Sequence, residues 1–229
     1  MKRTLQPELL DELSPSDPDA RRSRADLRRV NAWMGNGAIL SRALLKLRGP
    51  VRRLVEIGAG DGALLLGIAR TLSRSWTNVE VLLVDRQALV APETLEQFRQ
   101  LGWRADVVEA DVFEWLNTEG PKDGDMIVAN LFLHHFDGDR LRQMFYTLAE
   151  KVHSLTACEP RRSMLAGTSA RFLGLIGCNH VTRHDAVVSV SAGFQGHELS
   201  HHWPGNVAWN LCEKRAGLFS HCFQAARKG

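Results

Sequence analysis

The chain of 229 residues has few cysteines, no long apolar run and almost no excess of either charge. Each shortage narrows what it can be. Its four cysteines, Cys158, Cys178, Cys212 and Cys222, form no C-x-x-C pair. With no secretory signal they read as reduced thiols of a cytoplasmic protein. The opening stretch MKRTLQPELLDEL is charged throughout, which speaks against a signal peptide. No apolar run approaches the ~20 residues of a membrane helix, so no membrane partner is expected. The net charge is +3, and the densest basic stretch, DARRSRADLRR, is interrupted by Asp19 and Asp26. It reads as a solvated helix face and not as a nucleic-acid surface. There is no internal repeat and no low-complexity tract. Nothing in the composition fixes an oligomeric state.

What is present suits a soluble globular fold of one domain, with or without an appended lid. Residues 1 to 20 hold Pro7, Pro15 and Pro18 among many acids and predict a short helix and then a loose connection. From about Asp19 to Leu47, Leu27, Val30, Trp33 and Met34 recur at helical spacing. GNG at 35 to 37 breaks that helix, AILSRALLKL resumes it, and Gly49-Pro50 closes it. The pattern then changes. RRLVEIG, VEVLLVD, RADVVEAD, DMIVANLFL and SLTACEP read as strands. ALLLGIARTLSR, PETLEQFRQLG, FEWLNTEG and DRLRQMFYTLAEKV read as the helices between them. Such alternation predicts a parallel α/β sheet with helices on both faces. Residues 161 to 203 look mostly helical, and VAWNLCEKRAGLFSHCFQAAR predicts an antiparallel hairpin turning near Arg215 to Gly217.

The first strand runs into VEIGAGDG and a helix. Gly58, Gly60 and Gly62 let the backbone turn sharply and approach a ligand where a Cβ would clash. Gly58, Gly60 and Ala63 also satisfy the dinucleotide fingerprint, and Asp85 ends the second strand where ribose would bind. NAD and S-adenosylmethionine are both open at this point. Three features favour the second. Glu56 and Asp61 would repel a pyrophosphate but suit a ligand with an ammonium and a sulfonium. Asp111 in EADVF could accept from an adenine amine. The sheet ends in a hairpin and not in a second mononucleotide-binding half.

VEIGAGDG, Asp85, EADVF and NLFLHHF together resemble the class I S-adenosylmethionine-dependent methyltransferases, nearest the ubiquinone/menaquinone-biosynthesis-like small-molecule branch. The resemblance covers roughly residues 50 to 160 and, more loosely, the hairpin. It implies a Rossmann-like sheet of seven strands in the order 3-2-1-4-5-7-6, strand 7 antiparallel. It also implies S-adenosyl-L-methionine as cofactor and a small-molecule acceptor. By position, Gly58, Gly60 and Gly62 would pack on the methionine part, with Glu56 and Asp61 nearby. Asp85 would bind the ribose, with Arg86 beside it. Asp111 and Val112 would hold the adenine, and Asn130 and Leu131 would line the space near the methyl donor.

Methyl transfer needs a nucleophile brought to the methyl carbon and often a base for its proton. Ligands of open α/β sheets sit beyond the carboxyl ends of the strands. His134 and His135, after strand four, are therefore candidate catalytic groups, since histidine titrates near neutrality. The connection after strand five is long for its kind, which marks about 161 to 203 as a substrate-binding insertion. Glu159 and Arg162 stand at its mouth. Asp185 lies near a helix start and reads either as its cap with His184 exposed or, with His184, as an element facing the substrate. Asp185 and Arg162 are then binding residues, and His184 is a further catalytic candidate. Phe172, Leu173, Leu175 and Ile176 would make an apolar wall or core. Residues 1 to 48 are expected to form a helical lid carrying Trp33 and Met34 over the acceptor, and 49 to 229 the methyltransferase domain. The expected activity is O-methylation of a phenolic, quinone-like or polyketide-like molecule, or C-methylation of an aromatic or quinone precursor.

One motif points elsewhere. HELSH, residues 197 to 201, spells H-E-x-x-H, the zinc-peptidase pattern. A zinc hydrolase through His197 and His201 is thus an alternative, and a cofactor-binding module without catalysis a third. Gly196 and Pro204 leave the motif about two helical turns. Pro204 stands where the longer zinc motif needs glycine, and the third-ligand place holds no histidine. No metal is expected, and the segment reads as a short surface or lid helix.

Overall fold

The computed structural model describes residues 2–205 and 207–228; Met1 and Gly229, the outer limits of the two expected domains, lie outside them. Five parallel strands come first: β1 (Arg53–Ile57), β2 (Glu80–Asp85), β3 (Arg104–Glu109), β4 (Met126–Asn130) and β5 (Ser154–Pro160). β6 (Trp209–Ala216) and β7 (Ser220–Arg227) form the hairpin. The sheet order is β3-β2-β1-β4-β5-β7-β6, with β7 antiparallel to β5, as expected. The helices are α1 (Leu9–Glu12), α2 (Pro18–Met34), α3 (Asn36–Leu44), α4 (Ala63–Leu72), α5 (Pro92–Gln100), α6 (Val112–Asn117), α7 (Gly138–Lys151), α8 (Met164–Arg171) and α9 (His180–Ala192).

Alternation along the central strands builds two cores, because successive side chains point to opposite faces. Val55, Ile57, Ile127, Ala129, Leu155 and Ala157 meet Trp115, Leu141 and Phe145 of α6 and α7. Leu54, Leu83, Val128 and Cys158 meet Leu40 and Leu44 of α3 and Leu65 and Ile68 of α4. Burying each such side chain contributes roughly 1.5–3 kcal/mol. This buried middle holds the carboxyl ends of β1, β4 and β5 in fixed register.

The helix ends follow local chemistry. Asp17 accepts from the amides of Asp19 and Ala20, and Pro18 sits where no amide partner is needed. The expected break at 35 to 37 is a single residue, Gly35, at φ +72°. Its neighbour Asn36 is buried and opens α3. Asn36 donates to Asn31 and to Asn130 of β4, both at 3.0 Å, and accepts from Ser220 of β7 at 2.8 Å. The break is therefore braced against the sheet. Asp185 is not the cap of α9. Asn179 caps it through the Thr182 amide at 2.9 Å, and Asp185 lies buried inside the helix.

Candidate active site

The floor of the site is the turn after β1. Gly58 adopts φ +68°, and its amide donates to the Val84 carbonyl of β2 at 2.9 Å. A Cβ there would stand 2.2 Å from the Phe132 ring, so both backbone and space require glycine. The Gly60 amide donates to Asp85 at 2.8 Å, which fastens the loop to the end of β2, and open space lies beside Gly60. Asp85 also accepts from the Gln87 amide at 2.9 Å. Asp111 caps α6 through Phe113 at 2.8 Å. After β4 the chain turns through Leu131 at φ +50°, a conformation that costs a non-glycine residue about 1 kcal/mol and gathers at functional sites.

Beneath the loop lies Glu56, buried, with one carboxylate oxygen lacking any hydrogen-bond partner. Burial, with Asp61 and Asp85 nearby, pushes its carboxyl well above the usual range. A buried acid left so is destabilising in the free protein and suits a cationic ligand group.

The roof comes from the other end of the sequence. Residues 5 to 11 lie across the strand ends. Asp185 accepts from the Leu9 amide at 2.8 Å and the Leu10 amide at 2.9 Å, one on each oxygen, and so caps α1 from α9. Glu8 meets Ser189 and, at 3.2 Å, His134 Nε2. Asp11 pairs with Arg86 at 2.7 Å. Arg3 donates to the carbonyls of Ala192, His134 and Phe136 at 2.7, 3.0 and 2.8 Å, with its guanidinium over the Phe194 ring. Between floor and roof is a cavity of about 570 Å³, a size suited to a nucleoside-sized ligand.

Glu159, buried at the end of β5, organises the wall after β4. It accepts from the amides of Phe132, Leu133 and His134 at 3.1, 3.0 and 3.3 Å and pairs with His134 Nδ1 at 2.8 Å. Burial alone would lower the pKa of His134. The hydrogen bonds and charges of Glu159 and Glu8 outweigh it and raise the value to about 9. His134 is thus a buried cation clamped between two carboxylates. His135 lines the cavity, and burial, then the charge of His134, hold its imidazole below the ordinary value.

No family model and no curated protein sequence matches the chain. Solved structures do. The plantazolicin methyltransferase BpumL in complex with SAH superposes at TM-score 0.66 and 13% identity, covering 93% of this chain and 92% of that one. The plantazolicin methyltransferase BamL, in complex with a triazolic desmethylPZN analog and SAH, gives 0.63 at 11% identity and covers 93% and 92%. RosA from Streptomyces davawensis, an N,N-8-amino-8-demethyl-D-riboflavin dimethyltransferase, gives 0.56 at 14% identity and covers 97% and 62%. The chain has the methyltransferase fold.

Within that fold, Gly58, Gly60, Asp85, Arg86, Asp111, Val112 and Leu131 all face the one cavity. The other expected cofactor residues support its walls. Gly62 packs α4 on β2, where a Cβ would stand 2.9 Å from Leu83. Asp61 pairs with Arg28 of α2 at 2.7 Å, Asn130 accepts from Asn36, and Glu56 lies below. The expected acceptor residues do not gather. Trp33 is exposed and stacks on Phe219, and neither it nor Met34 lines the cavity. The covering segment holds Leu5, Glu8, Leu10 and Asp11 instead. His184 is half-exposed beside Asp185, whose oxygens serve α1. The general-base role expected of His134 does not fit a buried ring with both nitrogens spent on carboxylates. Arg162 is buried on the Gly193 carbonyl and Glu198, beside a second cavity of about 300 Å³ also lined by Arg161, Lys214 and Arg215. Phe172, Leu175 and Ile176 are exposed, and only Leu173 of that set is buried.

HELSH forms no ligand-bearing α-helix. A turn and a 3-10 segment, Ser200–His202, replace it. His197 and His201 face solvent, Glu198 is Arg162's partner, and Leu199 is core. The downstream acid Glu213 accepts from the Leu199 and Ser200 amides at 3.0 and 2.7 Å and pairs with His221 at 2.8 Å. Through Leu199 the motif closes the first core, the one beneath α6 and α7. Among the described residues, Glu8, His134 and His135 bring ligand-type atoms within 4.8 Å of one another. Within it His134 spends Nε2 on Glu8, and its Nδ1 is bonded to Glu159 outside the cluster.

Proposed function

We propose that the chain transfers a methyl group from S-adenosylmethionine to a small acceptor, most directly an oxygen of a phenolic, quinone-like or polyketide-like molecule. The observation that carries the reading is the buried, half-unpartnered Glu56 under a glycine loop whose cavity also presents Asp85 and Asp111. Glu56 and the loop suit an ammonium, Asp85 a ribose, and Asp111 with Val112 an adenine. The cofactor, when bound, supplies an electrophilic methyl on a sulfonium. The chain supplies orientation and exclusion of water: Phe132 and Phe136 form an apolar wall, and residues 5 to 11 cover the cavity. His135, held neutral near pH 7, is placed to accept the acceptor's proton, while the His134 cation and Glu159 fix the turn that carries it. C-methylation of an aromatic ring would use the same site without that proton step at oxygen.

Calorimetry with S-adenosylmethionine and S-adenosylhomocysteine tests the core of the proposal, and absence of binding of both sinks it. For the acceptor step, His135→Gln should lower kcat at least tenfold, leave cofactor affinity within about twofold and flatten the acid limb of the pH–rate profile. An unchanged profile would remove His135 from the reaction.

A further inference from the structure

Five large apolar side chains stand in solvent within thirteen residues: Met164 at 80% exposure, Leu165 at 54%, Phe172 at 57%, Leu175 at 83% and Ile176 at 60%. They come from α8 and the 3-10 turn Leu173–Ile176 that follows, both packed on α9. Leu173 and Cys178 are buried and anchor the turn. The exposed set is therefore presented by a built element. A patch of this density has a use in binding, since single exposed apolar residues are ordinary but clusters are not.

Arginines border it, with Asp19 and Asp26 of α2 meeting its far end at Asn179. From Arg161 to His197 the sequence contains four arginines against one aspartate, and that aspartate, Asp185, is buried and spent on α1. One of the four, Arg162, is buried and paired with Glu198. Arg183 lays its stem over Gly174, in the middle of the apolar turn, and Arg22 of α2 reaches the Gly177 carbonyl at 3.4 Å. Apolar side chains with Arg183 and Arg22 beside them fit a surface that offers hydrocarbon just below a layer of negative charge.

We propose that α8 and the 3-10 turn after it dock the protein on an anionic lipid surface, with Met164, Leu165, Phe172, Leu175 and Ile176 entering the headgroup layer and Arg22 and Arg183 meeting lipid phosphates. No helix is long and apolar enough to cross a membrane, and a peripheral contact needs none. The segment leaves the sheet directly after Glu159 and Pro160, at the carboxyl end of β5.

The test is co-sedimentation of the full chain with vesicles, and it requires neither cofactor nor acceptor. Binding is expected to vesicles of phosphatidylcholine and phosphatidylglycerol in equal parts, to be weaker on phosphatidylcholine alone, and to fall with added salt. Leu175→Ser with Ile176→Ser should lower the partition constant at least about tenfold. Arg183→Gln should lower it about fivefold. These side chains are exposed, so an unchanged melting curve certifies the fold of each variant. Three results would overturn the proposal: no binding to either vesicle, equal binding by the double variant, or a dimer of the free protein that the double variant converts to monomer. The last would mean that a second copy covers the patch.

Discussion

The floor and the roof of the cavity are made by opposite means. The floor is local. A turn of five residues, Gly58 to Gly62, lies between adjacent elements and is held by amide bonds to Val84 and Asp85. The roof is assembled at long range. Glu8 meets His134 across 126 positions, and Leu9 meets Asp185 across 176. Removing a floor element should change ligand fit, whereas removing a roof element should open the site while the sheet survives. Local backbone geometry tolerates pH, but ion pairs do not.

The largest effect should come from the hinge between the two. His134→Ala leaves Glu8 and Glu159 buried without their cation, and chemical denaturation should show a loss of about 3–5 kcal/mol. A loss below about 1 kcal/mol would mean that the roof is not held by charge. Next is the floor. Gly58→Ala drives a methyl into Phe132 at a positive φ and should destabilise by about 2–3 kcal/mol while abolishing S-adenosylhomocysteine binding. Intact binding in that variant would show that the loop can reseat. The third prediction is a pH window. Glu8 has a lowered pKa because its bonds to His134 outweigh burial, so its contribution is complete above the ordinary value of 4.5 and disappears as pH falls through the folded value. His134 has a raised pKa, so its contribution is complete below 6.5 and is lost as pH rises through about 9. Protease nicking within residues 2 to 13 should therefore be slow near neutrality and rapid above that limit, with the sheet still folded. The smallest effect should have opposite signs on the two properties. Glu56→Gln removes a buried ionisable group, so it should stabilise the free protein by about 1–2 kcal/mol and weaken S-adenosylmethionine about tenfold. A destabilised variant would mean that Glu56 has a protein partner in solution.

What was legible in the sequence divides along the same line. Strand order and the glycine turn follow from short-range signals: aliphatic runs of five to eight residues, glycines at fixed spacing, acids at strand ends. Asp85 and Asp111 could be placed because each ends or follows a strand. Glu8 could not. Nothing near it distinguishes it from Glu12, and its role depends on His134 and Ser189 arriving from elsewhere. Asp185 misled for the same reason, since an aspartate near a helix start reads as that helix's cap, and this one caps a different helix. Glu159 did carry a signal, a charged residue closing an otherwise uncharged strand, but the three amides that it gathers are invisible in sequence. HELSH matched a pattern whose helix Gly196 and Pro204 do not allow.

Helix α1 has four residues, too few to stand alone in water, and both acceptors for its first amides belong to Asp185. This orders events during synthesis. Once synthesis has passed residue 130, β1 to β4 and the glycine turn can already pair and pack. The opening segment must wait, unstructured, until residues 180 to 192 have emerged. A segment made before the whole sheet is thus among the last to find its place, and the cavity stays open until then.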